Sequence, residues 1–149
     1  MDQIDEKLMS ILQQNARMPL KAIAAQVYLS APAVAARIEK LEAQQLIQGY
    51  HAEIDRQKLG YHITAFISLE LETQQKPEFY AMIRECPNVL ECNCVTGVYS
   101  MLIKVAFPST QALDLFIGEI SRFGKTSTQI VFSTPVPHRD VVTPVKESV

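Results

Sequence analysis

The stretch Ser30–Gln45, SAPAVAARIEKLEAQQ, decides how the first third of the chain is read. Ser30 stands where a hydroxyl can accept from a free backbone N–H of the first helical turn. Pro32 falls inside that turn, where its missing N–H costs little. Val34, Ile38 and Leu41 recur at helical spacing on one face, while the other face is mostly alanine. The stretch is a helix with a marked start, an apolar inner stripe and a smooth outer surface.

Working outward, a shorter helix begins at Pro19 and carries Ile23, Ala24 and Val27, with Tyr28–Ser30 as the break between the two. A first helix, capped by Asp2, presents Ile4, Leu8, Ile11 and Leu12 on one face and ends at NARMP, Asn15–Pro19. A short helix, a tight turn and a longer helix make the helix-turn-helix outline, and the small Ala24 lets the two helices approach closely. After the third helix, LIQGYHAEID (Leu46–Asp55) reads as extended, with Gly49 allowing a bend. It is expected to link the two halves as a strand or wing.

The periodicity changes near Gly60. HITAFISLEL (His62–Leu71) alternates, with Ile63, Ala65, Ile67, Leu69 and Leu71 on one face. KPEFYAMIREC (Lys76–Cys86) sets Phe79, Met82, Ile83 and Cys86 on a helical stripe that Pro87 ends. VLECNCV alternates again, with Leu90, Cys92 and Cys94 on one side, and TGVY turns into the strand SMLIKVAF. Ser109 caps a helix with the stripe Leu113, Phe116, Ile117 and Ile120; Gly124 closes it, and TSTQIVF is a fourth strand. The order predicts an α+β fold. An N-terminal winged helix-turn-helix domain precedes a ferredoxin-like βαββαβ domain, with one antiparallel sheet and both helices on one face. The expected divisions are residues 1–50, a hinge over 51–61, the ferredoxin-like domain over 62–133 and an irregular tail over 134–149. The open sheet face, expected to carry Phe66 and Tyr99, should seek a second copy of the chain.

At 149 residues, with 48% apolar and 20% charged residues, the chain suits one domain or two small ones. It has no run of about 18 apolar residues to span a membrane. The acidic start MDQIDEKLMS is unlike a signal peptide, so a cytoplasmic location is expected. The net charge of −2 gives no overall attraction to nucleic acid. The window from Arg17 to Lys40, however, holds four basic residues and one acid. That local patch, with the outlined helix pair, marks Arg17, Lys21, Ser30, Ala31 and Pro32, then Ala33, Ala35, Ala36, Arg37 and Lys40, as candidate contacts to double-stranded DNA. Alanines touch only thymine methyls, so few groups here read bases, chiefly Arg37 and Gln44. Specificity is expected from DNA shape and bendability, and affinity from phosphates. For Arg37 two roles stay open, a phosphate contact or an internal salt bridge.

Three stretches carry a family resemblance. They are MDQIDEKLMSILQQNARMPLKAIA, LSAPAVAARIEKLEAQQLIQGYHAEID and VTGVYSMLIKV, and together they resemble the Lrp/AsnC, or feast/famine, transcriptional regulators. The resemblance spans nearly the whole chain. It implies a RAM-type C-terminal domain that dimerises, dimers that in many members assemble further into octamers, leaving dimer and octamer both open here, and an amino-acid effector of the kind many members bind between subunits. By that resemblance the glycine turn Thr96, Gly97, Val98, Tyr99 and Ser100 is the candidate effector site. Three positions depart from the family pattern. Tyr28 and Gln45 stand where glycine is frequent, and Ser100 stands where many relatives carry aspartate. A positive φ at Tyr28 would mean strain.

No cofactor or metal is expected, and no enzymatic activity. The cysteines Cys86, Cys92 and Cys94 fall at apolar positions, which points to packing, and His51, His62 and His138 lie far apart in sequence. Two rival classes remain. One is an enzyme on the same architecture, resembling siroheme decarboxylases, for which His62, Arg84 and Arg122 are the available groups. The other is a small-molecule sensor without DNA binding.

Overall fold

A computed structural model describes residues 1–141. The chain divides into two compact units, Met1–Glu53 together with the chain from Pro137, and Ile54–Val136.

The first unit holds α1 (Gln3–Gln14), α2 (Leu20–Val27) and α3 (Ala31–Ala43). Their apolar stripes meet in one core: Leu8 and Ile11 of α1, Ile23, Ala24 and Val27 of α2, and Val34 and Leu41 of α3 are buried. The start of α1 is fixed by reciprocal bonds. The Asp5 N–H donates to Asp2 Oδ1 at 2.9 Å, and the Asp2 N–H donates to Asp5 Oδ2 at 3.0 Å, a capping box built from two aspartates. Ser30 Oγ accepts from the Ala33 N–H at 3.3 Å and sets the start of α3. Lys7 Nζ donates to the Gln26 carbonyl at 2.6 Å, placing a cation where the last carbonyls of α2 emerge. The stretch expected to form a strand or wing is not one among the described residues: no residue between α3 and Ile63 pairs in a ladder there. A lone extended segment has no edge to bond to, and alternation alone cannot supply the partner. Described tail residues beyond β4 have no helix or strand, and the Val141 carbonyl accepts from Gln13 Nε2 at 3.1 Å. The expected tail continues beyond the described residues from 142 onward.

The second unit is a four-stranded antiparallel sheet in the order β2-β3-β1-β4, where β1 is Ile63–Leu69, β2 Val89–Cys94, β3 Met101–Phe107 and β4 Thr126–Ile130. α4 (Lys76–Glu85) and α5 (Thr110–Ile120) bury Phe79, Ile83, Leu113, Phe116 and Ile120 against Ala65, Ile67, Leu69, Met101, Ile103 and Val105. Gly124 is required where α5's trailing 3₁₀ turn meets the sheet. With φ 153°, a Cβ there would collide with the Glu70 carbonyl oxygen. One register detail differs from expectation. A bulge between Val89 and Glu91 puts Val89, rather than Leu90, opposite Val105, and Leu90 is exposed. Cys92 and Cys86 pack against the core, whereas Cys94 is exposed. Burial pushes the Cys92 thiol up, with Cys94 adding to it.

Alternation places Thr64, Phe66 and Ser68 of β1, and Leu102, Lys104 and Ala106 of β3, on the face away from the helices. Lys104 Nζ sits 5.7 Å from the Phe66 ring centroid, and Glu91 lies opposite Lys104 across the β2–β3 pair. The face is therefore mixed rather than plainly apolar. Tyr99 is not on it; it belongs to the β2–β3 turn.

Candidate DNA-binding and effector sites

Exposure along α3 separates its two faces. Val34 and Leu41 are buried and Ile38 packs on the same core, while Pro32, Ala36, Glu39, Lys40 and Ala43 are exposed. Ala31, Ala33 and Ala35 are half-buried at the margins. The outward stripe is thus mostly alanine and proline, with Glu39 and Lys40 as its charged groups, and it offers bases few hydrogen-bonding groups. Arg17 and Lys21 are also exposed, before and within α2.

Arg37 does not join that stripe. Its Nη1 lies 2.8 Å from Asp2 Oδ2 and 2.7 Å from Asp5 Oδ1. One guanidinium nitrogen thus bridges both aspartates of the α1 capping box, and Asp5 is 8% exposed. Two carboxylates held this close repel, and the cation between them removes the conflict while tying α3 to the start of α1. The Asp2 carboxyl lies below the usual carboxylate range, chiefly because it accepts from the Asp5 N–H and then because of Arg37. The guanidinium is raised in turn by Asp2 and Asp5. Of the two roles open for Arg37, the geometry supplies the internal salt bridge. At the other end of α3, Tyr50 Oη donates to Glu42 Oε1 at 2.7 Å. Partial burial and that carboxylate push the Tyr50 phenol up to about 12.

Both positions where glycine is frequent in the resembled family adopt a left-handed backbone. Tyr28 has φ 55° and ψ 41° and ends α2, its N–H donating to the Ala24 carbonyl; Gln45 has φ 57° just past α3. This conformation costs an L-residue roughly 1–2 kcal/mol. Gln45 offsets part of it by donating from Nε2 to the Glu42 carbonyl at 3.2 Å. Tyr28 makes no such bond among the described residues and is 91% exposed.

In the second unit, the turn Val95–Ser100 closes with the Val95 N–H donating to the Ser100 carbonyl at 2.8 Å. Gly97 has φ 108° with open space where a Cβ would stand, so the turn needs glycine for its dihedral and not for room. Thr96, Val98 and Tyr99 are exposed. Ser100 is half-buried, and its hydroxyl is engaged. Oγ accepts from the Leu71 N–H and donates to the Leu71 carbonyl, both at 3.3 Å. Sequence reasoning missed this anchor, because Leu71 lies 29 residues away and nothing local marks the pairing. Two open clefts lie elsewhere. One of about 250 Å³ is lined by Leu12, Ala16, Met18, Leu20, Ile23, Ile38 and Tyr50, and one of about 410 Å³ by Leu59–Tyr61, Asn88, Phe107, Pro108 and Ala112.

The groups set aside for an enzyme each have their own surroundings. Arg122 pairs with Glu78 at 3.3 Å, Arg84 lies over the Tyr80 ring, and His62 is exposed, as are His51 and His138. Among the described residues no group of three or more His, Cys, Asp or Glu is placed to hold a metal, and no helix is long and apolar enough to cross a membrane.

A helix-turn-helix unit followed by a ferredoxin-like unit with a glycine turn is the architecture of DNA-binding regulators that carry a ligand-binding domain, and the family matches select that class. Residues 1–42 match the AsnC-type helix-turn-helix domain, and residues 64–141 match the Lrp/AsnC ligand binding domain. The chain belongs to the Lrp/AsnC family of transcriptional regulators. It is 36% identical over 138 residues to the HTH-type transcriptional regulator YezC of Bacillus subtilis, covering 93% of this chain and 98% of that one. The structure of B. subtilis LrpC superposes with a TM-score of 0.87 at 26% identity, over 93% of this chain and 99% of that one. The feast or famine regulatory protein Rv3291c of M. tuberculosis, complexed with L-methionine, superposes with a TM-score of 0.85 at 26% identity, over 95% and 99%.

Proposed function

We propose that this regulator inserts α3 into the major groove of A/T-rich, bendable DNA, and that it responds in the cytoplasm to an amino acid or related metabolite held by the Thr96–Ser100 turn. The observation that carries the DNA reading is the outward stripe of α3. A helix positioned by the Ser30 cap and by the Arg37 bridge presents mostly alanine and proline with the neighbouring charges Glu39 and Lys40, a surface suited more to following groove shape than to reading base edges. Arg17, Lys21 and Lys40 then supply phosphate contacts, and Arg37 acts by holding α3 against α1.

The effector reading rests on Gly97, whose conformation opens the backbone to a ligand carboxylate, and on the L-methionine complex of the mycobacterial relative. The turn is exposed on a single chain, which fits a site completed by a second subunit covering the open sheet face. Serine at position 100 brings no charge to an α-ammonium, and its hydroxyl is shared with Leu71. The pocket therefore binds common amino acids weakly or takes a different small metabolite. Titration calorimetry across the standard amino acids tests this. Micromolar binding of a common amino acid, unaffected by Ser100→Ala, contradicts it.

A further inference from the structure

We propose that the Tyr28 side chain is itself a DNA contact, resting on the sugar–phosphate backbone beside the N-terminal end of α3. This rests on the DNA-binding reading above. Tyr28 ends α2 in the left-handed region, where glycine or asparagine completes the same turn with less strain. An L-residue persists at such a position when something else depends on its side chain. Gln45, in the same conformation, shows what an internal reason looks like, since its amide bonds to the Glu42 carbonyl. Among the described residues Tyr28 has no such internal reason. Its ring is almost wholly in solvent, and its phenol has no hydrogen-bond partner among the described residues.

Its place in the fold points to the partner. Tyr28 stands two residues ahead of Ser30, the cap of α3, and a helix-turn-helix lays the N-terminal residues of its second helix against base edges. At that end a side chain from the turn meets the strand backbone flanking the groove. A tyrosine there packs its ring on a sugar and donates its hydroxyl to a phosphate oxygen. The exposed stripe of α3 has little to donate, so a phenol at its mouth supplies the fixed point that alanines cannot. Once Arg37 is paired, the segment's remaining charges are Arg17, Lys21 and Lys40 against the single acid Glu39, a positive excess that favours a polyanion over a neutral protein surface.

The test compares wild type, Tyr28→Gly, Tyr28→Phe and Lys40→Ala, measuring thermal stability and affinity for a duplex with phased A-tracts at one fixed salt concentration. Tyr28→Gly is expected to keep or raise the melting temperature while weakening binding about tenfold, the loss expected for one hydrogen bond to a charged group. Tyr28→Phe, with stability unchanged, then divides that loss between hydroxyl and ring. A structural role moves stability and affinity in the same direction, so a lower melting temperature with weaker binding overturns the proposal. So does Tyr28→Gly binding as tightly as wild type, or a change of oligomeric state with affinity intact. If wild-type protein fails to bind the duplex and Lys40→Ala changes nothing, the DNA reading itself falls, and this inference with it.

Discussion

Replacing Ser100 with alanine removes one hydroxyl that serves two backbone groups. The Leu71 N–H loses its acceptor and the Leu71 carbonyl loses its donor, next to a buried leucine side chain where water has limited access. Leaving buried backbone groups unsatisfied costs about 1–3 kcal/mol. Both bonds are long, at 3.3 Å, and Ser100 is only half-buried, so the lower part of that range applies, about 1–2 kcal/mol. The hairpin itself survives, because the Val95–Ser100 backbone bond does not involve the side chain. For a domain of this size the loss lowers the melting temperature by roughly 4–16 °C. Differential scanning calorimetry of Ser100→Ala and Ser100→Thr measures it, with threonine keeping the hydroxyl and most of the stability. Ser100→Asp separates anchoring from recognition. Its carboxylate can accept from the Leu71 N–H but opposes the Leu71 carbonyl, so stability falls, whereas a carboxylate turned to the ligand tightens binding of at least one amino acid. An unchanged melting temperature for Ser100→Ala would refute the anchoring role.

Arg37→Ala leaves Asp2 and Asp5 facing each other without their cation, so the helical unit is expected to melt earlier and to lose DNA affinity through misplacement of α3; Arg37→Ala with full stability and selective loss of binding would instead make it a direct contact. The pH dependence follows the lowered Asp2 carboxyl. A group whose folded value lies below its unfolded value of 3.8 adds stability above that pH, and acid denaturation should show the loss as pH falls below it, with a smaller loss in Arg37→Ala. Tyr50 works in the opposite sense: raised in the fold to about 12, it adds stability below about pH 10 that is lost as pH climbs through 12. In an ultraviolet titration Tyr50 should contribute a late component, and Tyr50→Phe should remove it. Phe66→Glu, on the open sheet face beside Lys104, should lower the sedimentation coefficient of the full chain if a second copy covers that face; an unchanged coefficient places the contact elsewhere.

What could be read in advance follows from the range of the forces involved. Caps and stripes are local, so Asp2, Ser30 and Ser109 mark helix starts in the sequence, and Val34, Leu41, Phe79 and Phe116 mark buried faces. The ferredoxin-like strand order was legible because alternation and helical spacing follow one another clearly from Ile63 to Ile130. The bulge at Leu90 was not, since a one-residue register shift depends on the partner strand. The expected wing failed for the same reason, an extended pattern with no edge to join. Arg37 was ambiguous because a cation on a half-buried face serves either a phosphate or an aspartate, and only the folded position of the α1 cap distinguishes them. Tyr28 was flagged by its departure from glycine, yet its backbone conformation, and so its strain, appears only in the structure.

Selection of bound genomic fragments, run with and without a pool of amino acids, tests the central claim most directly. The account predicts enrichment of A/T-rich, bendable segments with a short and degenerate consensus, retention that falls steeply with salt, and a changed set of fragments or affinities when the effector is present. A long, sharply defined motif would contradict shape reading. No enrichment over bulk DNA, with or without amino acids, would contradict the account as a whole.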